Sequence, residues 1–249
     1  MEIRAGTSGY SYKEWKGSFY PEKLAPARML SFYAERLPTV EINNTFYRMP
    51  KREVVAGWAA EVPDSFRFAI KVSQRITHRK RLKEAEEELD HLIAQLEPLG
   101  PRLGVLLVQL PPHARVHGER LARFLDHLAG RARAAFEFRH ESWQDDAVLA
   151  CLREHGAAWV TSEGEQTPAV LYETAPFGYL RLRREDYTTS DLVAWLDRLR
   201  PHAWQESFVF FKHESSGPAL AAELNALAGR RAPARVRGAE APDAAREAG

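Results

Sequence analysis

The feature that most constrains the fold of this chain is a regular alternation of short apolar segments with helical patterns. Eight segments have the length and apolar content of β-strands, and a helical pattern of apolar residues follows most of them. Strands that alternate with helices indicate a parallel sheet, and eight such units predict a closed, TIM-barrel-like (β/α)8 fold. The predicted strands are residues 3–6, 40–43, 66–72, 104–110, 134–138, 158–161, 179–182 and 208–211.

One unit of this pattern is weak, because residues 162–178 show no helical stripe. An open doubly wound sheet is the alternative fold, but Gly6 and Gly9 do not form the dinucleotide-binding fingerprint that such sheets often carry. We therefore expect a single barrel domain over residues 1–229. Large apolar residues almost disappear after Leu227, so we expect residues 230–249 to be a disordered tail.

The overall charge gives no sign of a polyanionic partner, because the formal net charge is only +1. The single cysteine, Cys151, excludes an intrachain disulfide and fits a reducing compartment. The amino terminus has no signal-peptide apolar region, and no apolar run is long enough to cross a bilayer. We expect a cytoplasmic protein without a membrane partner, and the sequence leaves the oligomeric state open.

Polar side chains stand at the carboxyl ends of several predicted strands. Polar and apolar residues alternate over residues 40–43, so Glu41 and Asn43 share one face of that strand. A buried carboxylate needs a polar partner, which neighbouring strands or a ligand can supply. Barrel enzymes carry their chemistry at this end, so a polar site is predicted there. The same parity places Lys71, Gln109, Glu137, Arg139, Arg181, Arg183 and Lys212 inward, and Ile42, Phe68, Ile70, Phe138, Leu180 and Leu182 toward the helices.

The inward set contains more cations than carboxylates, which favours a small anionic ligand such as a sugar phosphate or a related acid. Glu41 and Glu137 are candidates for acid–base catalysis. Lys71 is a third candidate, either paired with Glu41 or, with a lowered pKa, as an imine-forming amine. Arg139 and Arg181 are predicted to clamp the anion with Lys71. The alternative for Glu137 and its neighbours is a purely structural ion-pair lattice.

Aromatic and basic residues near the strand ends widen the choice of ligand. Tyr10, Trp15, Tyr47 and Trp143 can stack on a sugar or a base, or can simply pack a lid over the barrel. The basic loop from Gln74 to Lys83, which contains His78, can contact phosphates, as can Gln109 and Lys212 at other strand ends. Nucleic-acid binding or processing is therefore one alternative function, and a noncatalytic ligand-binding protein is another.

Metal and cofactor motifs are missing from the sequence. No His-x-x-x-His or Cys-x-x-Cys spacing occurs, and there is no glycine-rich phosphate loop. A metal site assembled from Glu41, Glu137, His140 and His213 remains an alternative that spacing alone does not exclude. We predict no tightly bound metal, no flavin and no nicotinamide cofactor.

Several of these segments together resemble the family called domain of unknown function 72, or YecE-like. They are Gly6-Thr-Ser-Gly-Tyr10, Val40-Glu-Ile-Asn-Asn-Thr-Phe-Tyr-Arg48, Phe66-Arg-Phe-Ala-Ile-Lys71, Ile76-Thr-His78, Gln109-Leu-Pro-Pro112 and Glu137-Phe-Arg-His-Glu-Ser-Trp143. The resemblance implies a TIM-barrel-like fold, similar to sugar isomerases and endonuclease IV. It implies no reaction, because the family has no established one.

The last third of the chain departs from the pattern of that family. The family usually has Tyr-x-Arg-x-His-Gly where this chain has Tyr179-Leu-Arg-Leu-Arg183, and it usually ends its last strand in Phe-Asn-Asn, where this chain has Phe211-Lys212-His213. Arg181 keeps its place, and two cations are added around it. Such cations can alter the choice of ligand, or can accompany loss of the ancestral activity.

Deletion of residues 233–249 tests the predicted tail. The loss of large apolar residues after Leu227 predicts that this deletion leaves the melting temperature nearly unchanged. Thermal unfolding of the full and shortened chains measures the difference. A drop of more than about 4 °C, on the order of 1 kcal/mol in a domain of this size, would show that the tail packs on the barrel.

Overall fold

The computed structural model describes residues 1–163, 169–212 and 215–229, and its eight strands close into one parallel barrel in chain order. The predicted (β/α)8 barrel is therefore confirmed. The proposed tail over residues 230–249 and the side chain of His213 lie outside the described residues. The strands are β1 (Glu2–Ser8), β2 (Thr39–Ile42), β3 (Arg67–Lys71), β4 (Leu103–Gln109), β5 (Ala134–Glu137), β6 (Ala158–Glu163), β7 (Phe177–Leu182) and β8 (Glu206–Phe211).

Among the described residues, a helix follows every strand except β6. The described residues between β6 and β7, 169–176, contain no helix, as the missing helical stripe indicated. No helix in the described ranges is long and apolar enough to cross a membrane. The α-helices are α1 (Met29–Ala34), α2 (Arg52–Ala60), α3 (Glu86–Leu96), α4 (Gly118–Leu128), α5 (Asp146–Glu154), α6 (Thr189–Leu199) and α7 (Gly217–Gly229).

Strand parity separates two apolar clusters, one inside the barrel and one between the strands and the helices. On β3, Ala69 belongs to the inner cluster, while Phe68 and Ile70 pack against the helices. On β7, Tyr179 lies inside and Leu180 outside. The residues two positions further along each inner face therefore emerge at the carboxyl end of the barrel. This packing brings the polar residues predicted from parity together at the carboxyl end of the barrel, which we call the mouth.

Two local differences from the sequence prediction affect this mouth. Strand β1 continues past Gly6, because Thr7 and Ser8 pair in register with Val40 and Glu41 of β2. The longer strand carries Ser8 to the level of Glu41. The basic loop after β3 also contains a turn of π-helix at Arg75–Arg79.

A pair of glycine substitutions tests the close packing of β1. A Cβ atom on Gly6 would lie 2.0 Å from the backbone oxygen of Thr39, whereas a Cβ atom on the exposed Gly57 of α2 would meet nothing within 4 Å. We expect Gly6→Ala to lower the free energy of unfolding by about 1–3 kcal/mol or more. Gly57→Ala should raise it by about 0.5–1 kcal/mol, because alanine favours helix. Denaturant unfolding compares the two, and similar effects of the same sign would contradict this account.

Candidate functional site at the carboxyl end of the barrel

A buried arginine on β7 organises the mouth of the barrel. Arg181 is only 3% exposed, and its guanidinium lies between the carboxylates of Glu41 on β2 and Glu137 on β5. Its Nη2 donates to Oε1 of Glu41 at 2.8 Å, and its Nη1 donates to Oε2 of Glu137 at 2.6 Å. Burial opposes the charge of Arg181, but the two carboxylates outweigh it and raise its pKa. This ion triad spans the barrel interior.

Both oxygens of Glu41 accept hydrogen bonds from inside the barrel. Besides Arg181, Oε1 accepts from Oγ of Ser8 at 2.8 Å and from Nδ2 of Asn43 at 3.0 Å. Oε2 accepts from the hydroxyl of Tyr179 at 2.7 Å. Burial raises the pKa of Glu41, but Arg181 and these donors together lower it by more than burial raises it, so the net shift is downward. The side chain is held as a buried, hydrogen-bonded carboxylate.

Glu137 is held by a second set of donors. Oε2 accepts from Nε2 of Gln109, its register partner on β4, at 2.6 Å. Oε1 accepts from Nη2 of Arg183 at 2.8 Å and, at a longer 3.3 Å, from the guanidinium of Arg139. Burial opposes ionisation, yet Arg181, Arg183 and Arg139 together lower the pKa of Glu137 to about 2.

These hydrogen bonds argue against the predicted acid–base role of Glu41 and Glu137. A carboxylate whose pKa is low stays ionised at neutral pH and is a weak base, whereas general acids and bases work best with a pKa near the ambient pH. The donors around both groups would also have to be displaced before a substrate could exchange a proton with them. The structure thus favours the alternative role for the glutamates, as anchors of an ion lattice.

Lys71 lies at the mouth in a different setting. Its ammonium nitrogen is 4.4 Å from the centre of the Phe46 ring, and no described carboxylate forms an ion pair with it. Glu41 is matched in register by Ala69, one layer below Lys71, so the suggested pairing of Lys71 with Glu41 is absent in the described structure. Burial first, and then the charge of Arg181, lower the pKa of Lys71 to about 8. An amine with this pKa is partly neutral near physiological pH.

The predicted anion clamp needs revision, because Arg181 has both terminal nitrogens engaged by glutamates. Arg183, Arg139 and Lys212 stand nearer the solvent. Burial and the neighbouring arginines lower the pKa of Lys212. A cavity of about 410 Å³ has Arg139 and Arg183 in its wall, together with Glu137, Glu141 and Glu163. The cations available to a ligand are therefore those of the rim.

Two buried nitrogen donors of the mouth arginines have no acceptor among the described residues. They are Nε of Arg181 and Nε of Arg183. Buried polar groups in proteins nearly always have a hydrogen-bond partner, either from the protein, from water or from a ligand. These two donors are therefore unsatisfied in the described structure.

Three aromatic residues that were predicted to stack on a ligand make packing contacts or hydrogen bonds within the protein. Trp15 is 1% exposed and packs with its ring centre 5.9 Å from that of Tyr20 in the loop after β1. Trp143 is 3% exposed and donates from Nε1 to the backbone oxygen of Ala114 at 2.7 Å. The hydroxyl of Tyr10, whose pKa is raised mainly by burial, is hydrogen-bonded to Trp58 of α2. These contacts favour the lid-packing alternative for Trp15 and Trp143, while Tyr10 is half-buried.

The remaining predicted residues lie at or near the mouth. His78 packs edge-on against Phe46 with 4.8 Å between ring centres, and burial followed by the charge of Lys71 lowers its pKa. Its Nδ1 shares a 2.9 Å hydrogen bond with Oγ1 of Thr77. Tyr47 is 76% exposed, the most exposed of the predicted stacking residues in the described structure. In the nearby basic loop, Arg75 is already paired with Glu88, at 2.9 Å.

The sequence reasoning missed Ser8 and Tyr179 as members of the site. Tyr179 follows from the parity that found Arg181, two residues later on the same face of β7. Ser8 was missed because β1 was predicted to end at Gly6. In the alternative metal site, His140 bonds instead to Oγ of Ser142, at 2.9 Å, and His213 lies outside the described residues. Over the described ranges no three His, Cys, Asp or Glu side chains cluster closely enough to hold a metal ion.

Comparison with known proteins gives a family but no reaction. The model of the family described as protein of unknown function DUF72 matches residues 4–246. The UPF0759 protein YecE of Escherichia coli strain K12 is 36% identical over 115 residues, which cover 45% of this chain and 41% of that protein. The UPF0759 protein YunF of Bacillus subtilis strain 168 is 31% identical over 157 residues, which cover 58% of this chain and 55% of that protein. The match thus spans about half the length of these relatives.

A solved structure extends the similarity over nearly the whole fold. The crystal structure of a DUF72 family protein from Thermotoga maritima MSB8 superposes with a TM-score of 0.72 at 26% sequence identity. The superposition covers 91% of this chain and 99% of the other. The match to the family model, over residues 4–246, includes the divergent segment that carries Arg183 and Lys212.

Replacement of Arg181 by methionine tests the ion triad. Two buried carboxylates would lose their shared partner, so we expect a loss of about 3–5 kcal/mol in the free energy of unfolding at neutral pH. In the wild type, the depressed pKa of Glu137 contributes stability that is complete above its ordinary value of 4.5 and is lost as the pH falls toward about 2. In the variant, the carboxylates of Glu41 and Glu137 are buried without Arg181, which raises their pKa values. Acidification then protonates them and removes part of the cost of burying two unpaired negative charges.

The measurement is denaturant unfolding of both proteins at about pH 7 and about pH 4.5. The deficit of Arg181→Met should shrink by on the order of 1 kcal/mol at the lower pH. Arg183→Met is the matched control, because it removes one partner of Glu137 and leaves Arg181 in place, and it should cost only about 1 kcal/mol. A deficit for Arg181→Met that is small, or that is the same at both pH values, would contradict the triad.

Proposed function

Because this chain belongs to the DUF72 family of proteins of unknown function, its chemistry has to be inferred from its own site, and we propose that it is an enzyme acting on a small anionic substrate. The substrate class is a sugar phosphate or a related acid, bound at the carboxyl end of the barrel. The observation that carries the proposal is the surplus of positive charge at the mouth. Five cations lie there among the described residues, Lys71, Arg139, Arg181, Arg183 and Lys212. They stand against four glutamates, Glu41 and Glu137 inside the barrel and Glu141 and Glu163 in the outer wall of the cavity.

The anion is placed by the rim cations and not by the buried arginine. Each terminal nitrogen of Arg181 donates a hydrogen bond to a glutamate, and its Nε is buried, so the guanidinium is held inside the triad. Arg139 contacts Glu137 only at 3.3 Å, and Lys212 has no ion pair with any described residue. Guanidinium groups bind phosphate and carboxylate through two parallel hydrogen bonds. We therefore assign anion binding to Arg139, Arg183 and Lys212.

Lys71 is the group that we assign to proton transfer. A lysine whose pKa is lowered to about 8 can act as a base at neutral pH without giving up anion binding in its protonated form. His78 packs edge-on against the same Phe46 ring that Lys71 contacts. Its lowered pKa keeps it neutral at neutral pH, so it can accept or relay a proton. Glu41 and Glu137 then act on the reaction only by fixing the arginines around it.

Two other functions make different demands on the same residues. Single-stranded nucleic acid is usually bound by stacked bases on exposed aromatic rings. Here Trp15 and Trp143 are buried, which weakens that alternative. A noncatalytic binding protein would use the cations of the rim but would gain nothing from a lysine of lowered pKa. Binding of sugar phosphates without turnover would favour this second function.

Sulfate binding and its pH dependence test the proposal, because sulfate keeps the same charge across the range in which Lys71 titrates. Calorimetry should detect sulfate binding by the wild type, and Lys212→Gln should weaken it at least tenfold, about 1.4 kcal/mol. Affinity should fall as the pH rises through about 8, because Lys71 loses its charge there. In Lys71→Met this fall should be absent.

The matched control is Arg200→Gln, which also removes one positive charge. Arg200 follows α6, at the end of the barrel opposite the mouth, and pairs only with the nearby Asp197. Arg181→Ala is unsuitable as a binding probe, although no acid lies beside it on its own strand, because it would leave two glutamates without a shared partner. Equal sulfate affinity in the wild type, Lys212→Gln and Arg200→Gln would overturn anion binding at the mouth.

A further inference from the structure

A second basic cavity lies beside the mouth and belongs to no function assigned so far. Its volume is about 350 Å³, and it is formed by the loop after β4, the start of α4 and the loop after β3. Five side chains that carry or can carry positive charge line it, and none of its lining residues is acidic. They are Arg81, His113, Arg115, His117 and Arg120.

The three arginines of this cleft are not committed elsewhere. In the described parts of the chain, Arg81, Arg115 and Arg120 make neither an ion pair nor a side-chain hydrogen bond. Arginines at other places on this protein do pair, as Arg133 does with Glu206 and Arg75 with Glu88. Unpaired arginines that converge on one concavity, without a carboxylate among them, form a site suited to an anion.

The backbone that presents Arg81 is held in an unfavourable conformation. Arg81 and Leu82 have positive φ angles of 50° and 63°, in the left-handed region that costs free energy for any residue with a Cβ atom. The buried side chain of Leu82 and the hydrogen bond from its backbone nitrogen to Ile76, at 3.0 Å, keep this turn in place. The turn therefore fixes Arg81 over the cleft.

Only a thin wall separates the cleft from the mouth. Phe138 lines the cavity at the mouth and Trp143 lines the cleft, and their rings stack with 4.4 Å between centres. Next to this wall, the backbone nitrogen of Val116 donates to Oγ of Ser142 at 2.9 Å, which ties the cleft loop to the residues after β5. His113 of the cleft is also near enough to His78 to contribute to the lowering of its pKa, after burial, Lys71 and Arg139.

We propose that this cleft is a second phosphate-binding site, which takes the distal phosphate of a substrate whose first phosphate binds at the mouth. The substrate class is a sugar that carries two phosphate groups. This inference rests on the proposed function, because it uses the mouth as the site of the first anion. It adds a size requirement to the substrate, since one molecule has to reach around the wall formed by Phe138 and Trp143.

Calorimetry with fructose 1,6-bisphosphate and fructose 6-phosphate, at constant ionic strength, tests the proposal. The wild type should bind the bisphosphate at least tenfold more tightly than the monophosphate. The double variant Arg115→Gln, Arg120→Gln should lose that preference, with monophosphate affinity changed less than twofold. Arg123→Gln is the matched control, because Arg123 is an exposed arginine of the same helix that does not line the cleft, and it should keep the preference.

The mouth variant Lys212→Gln separates failure of this inference from failure of the proposed function. This variant should bind both sugar phosphates more weakly than the wild type, because both place a phosphate at the mouth. If Lys212→Gln weakens the binding of both sugar phosphates but the wild type shows no preference for the bisphosphate, the cleft proposal fails and the mouth proposal stands. If Lys212→Gln changes neither affinity, the mouth proposal fails, and the two-site substrate fails with it.

Nucleic acid is a rival ligand for the cleft, and the same proteins test it. A labelled single-stranded oligonucleotide should bind weakly and should be displaced by the bisphosphate. An oligonucleotide that binds more tightly than the bisphosphate, loses affinity in the Arg115→Gln, Arg120→Gln variant and resists displacement would overturn the assignment to a small sugar bisphosphate.

Discussion

The ion triad inside the barrel is the interaction on which the rest of the mouth depends. One guanidinium, from Arg181, serves two buried carboxylates, so the triad by itself carries one net negative charge. Such a charge is costly in a low-dielectric interior unless further donors or cations neutralise it. Gln109 and Tyr179 supply neutral donors to the triad, and Arg183 supplies charge at 2.8 Å. The rim cations are therefore partly structural, and their number beyond this need is what a ligand can use.

The membership of the site could be predicted from the sequence, because strand parity is a local property with a period of two residues. Lys71 and Glu137 both emerge at the mouth, as parity predicted. The partnerships could not be predicted. Arg181 bonds to residues 140 and 44 positions away in the chain, and only the closure and register of the barrel decide that it reaches both. Register likewise sets Ala69, and not Lys71, beside Glu41.

The aromatic residues show a different limit of sequence reasoning. Trp15 and Tyr47 both follow a strand end in loops rich in aromatic side chains, yet one is 1% exposed and the other 76%. Composition cannot separate a ring that packs a lid from one that faces a ligand, because both uses favour the same residue types near a barrel mouth. The distinction lies in how each loop folds back on the barrel, which depends on contacts distant in sequence.

The charge surplus at the mouth also explains how a binding site can be built into a stable fold. The pKa values of Lys71, Arg183 and Lys212 are each lowered first by burial and then further by neighbouring arginines. These cations therefore repel one another, and the repulsion destabilises the protein when no anion is bound. Under the proposed function, an anion bound at the mouth would reduce that repulsion, and the free energy gained in this way would contribute to its affinity. The glutamates limit this effect, because without them the same cations could not be buried side by side.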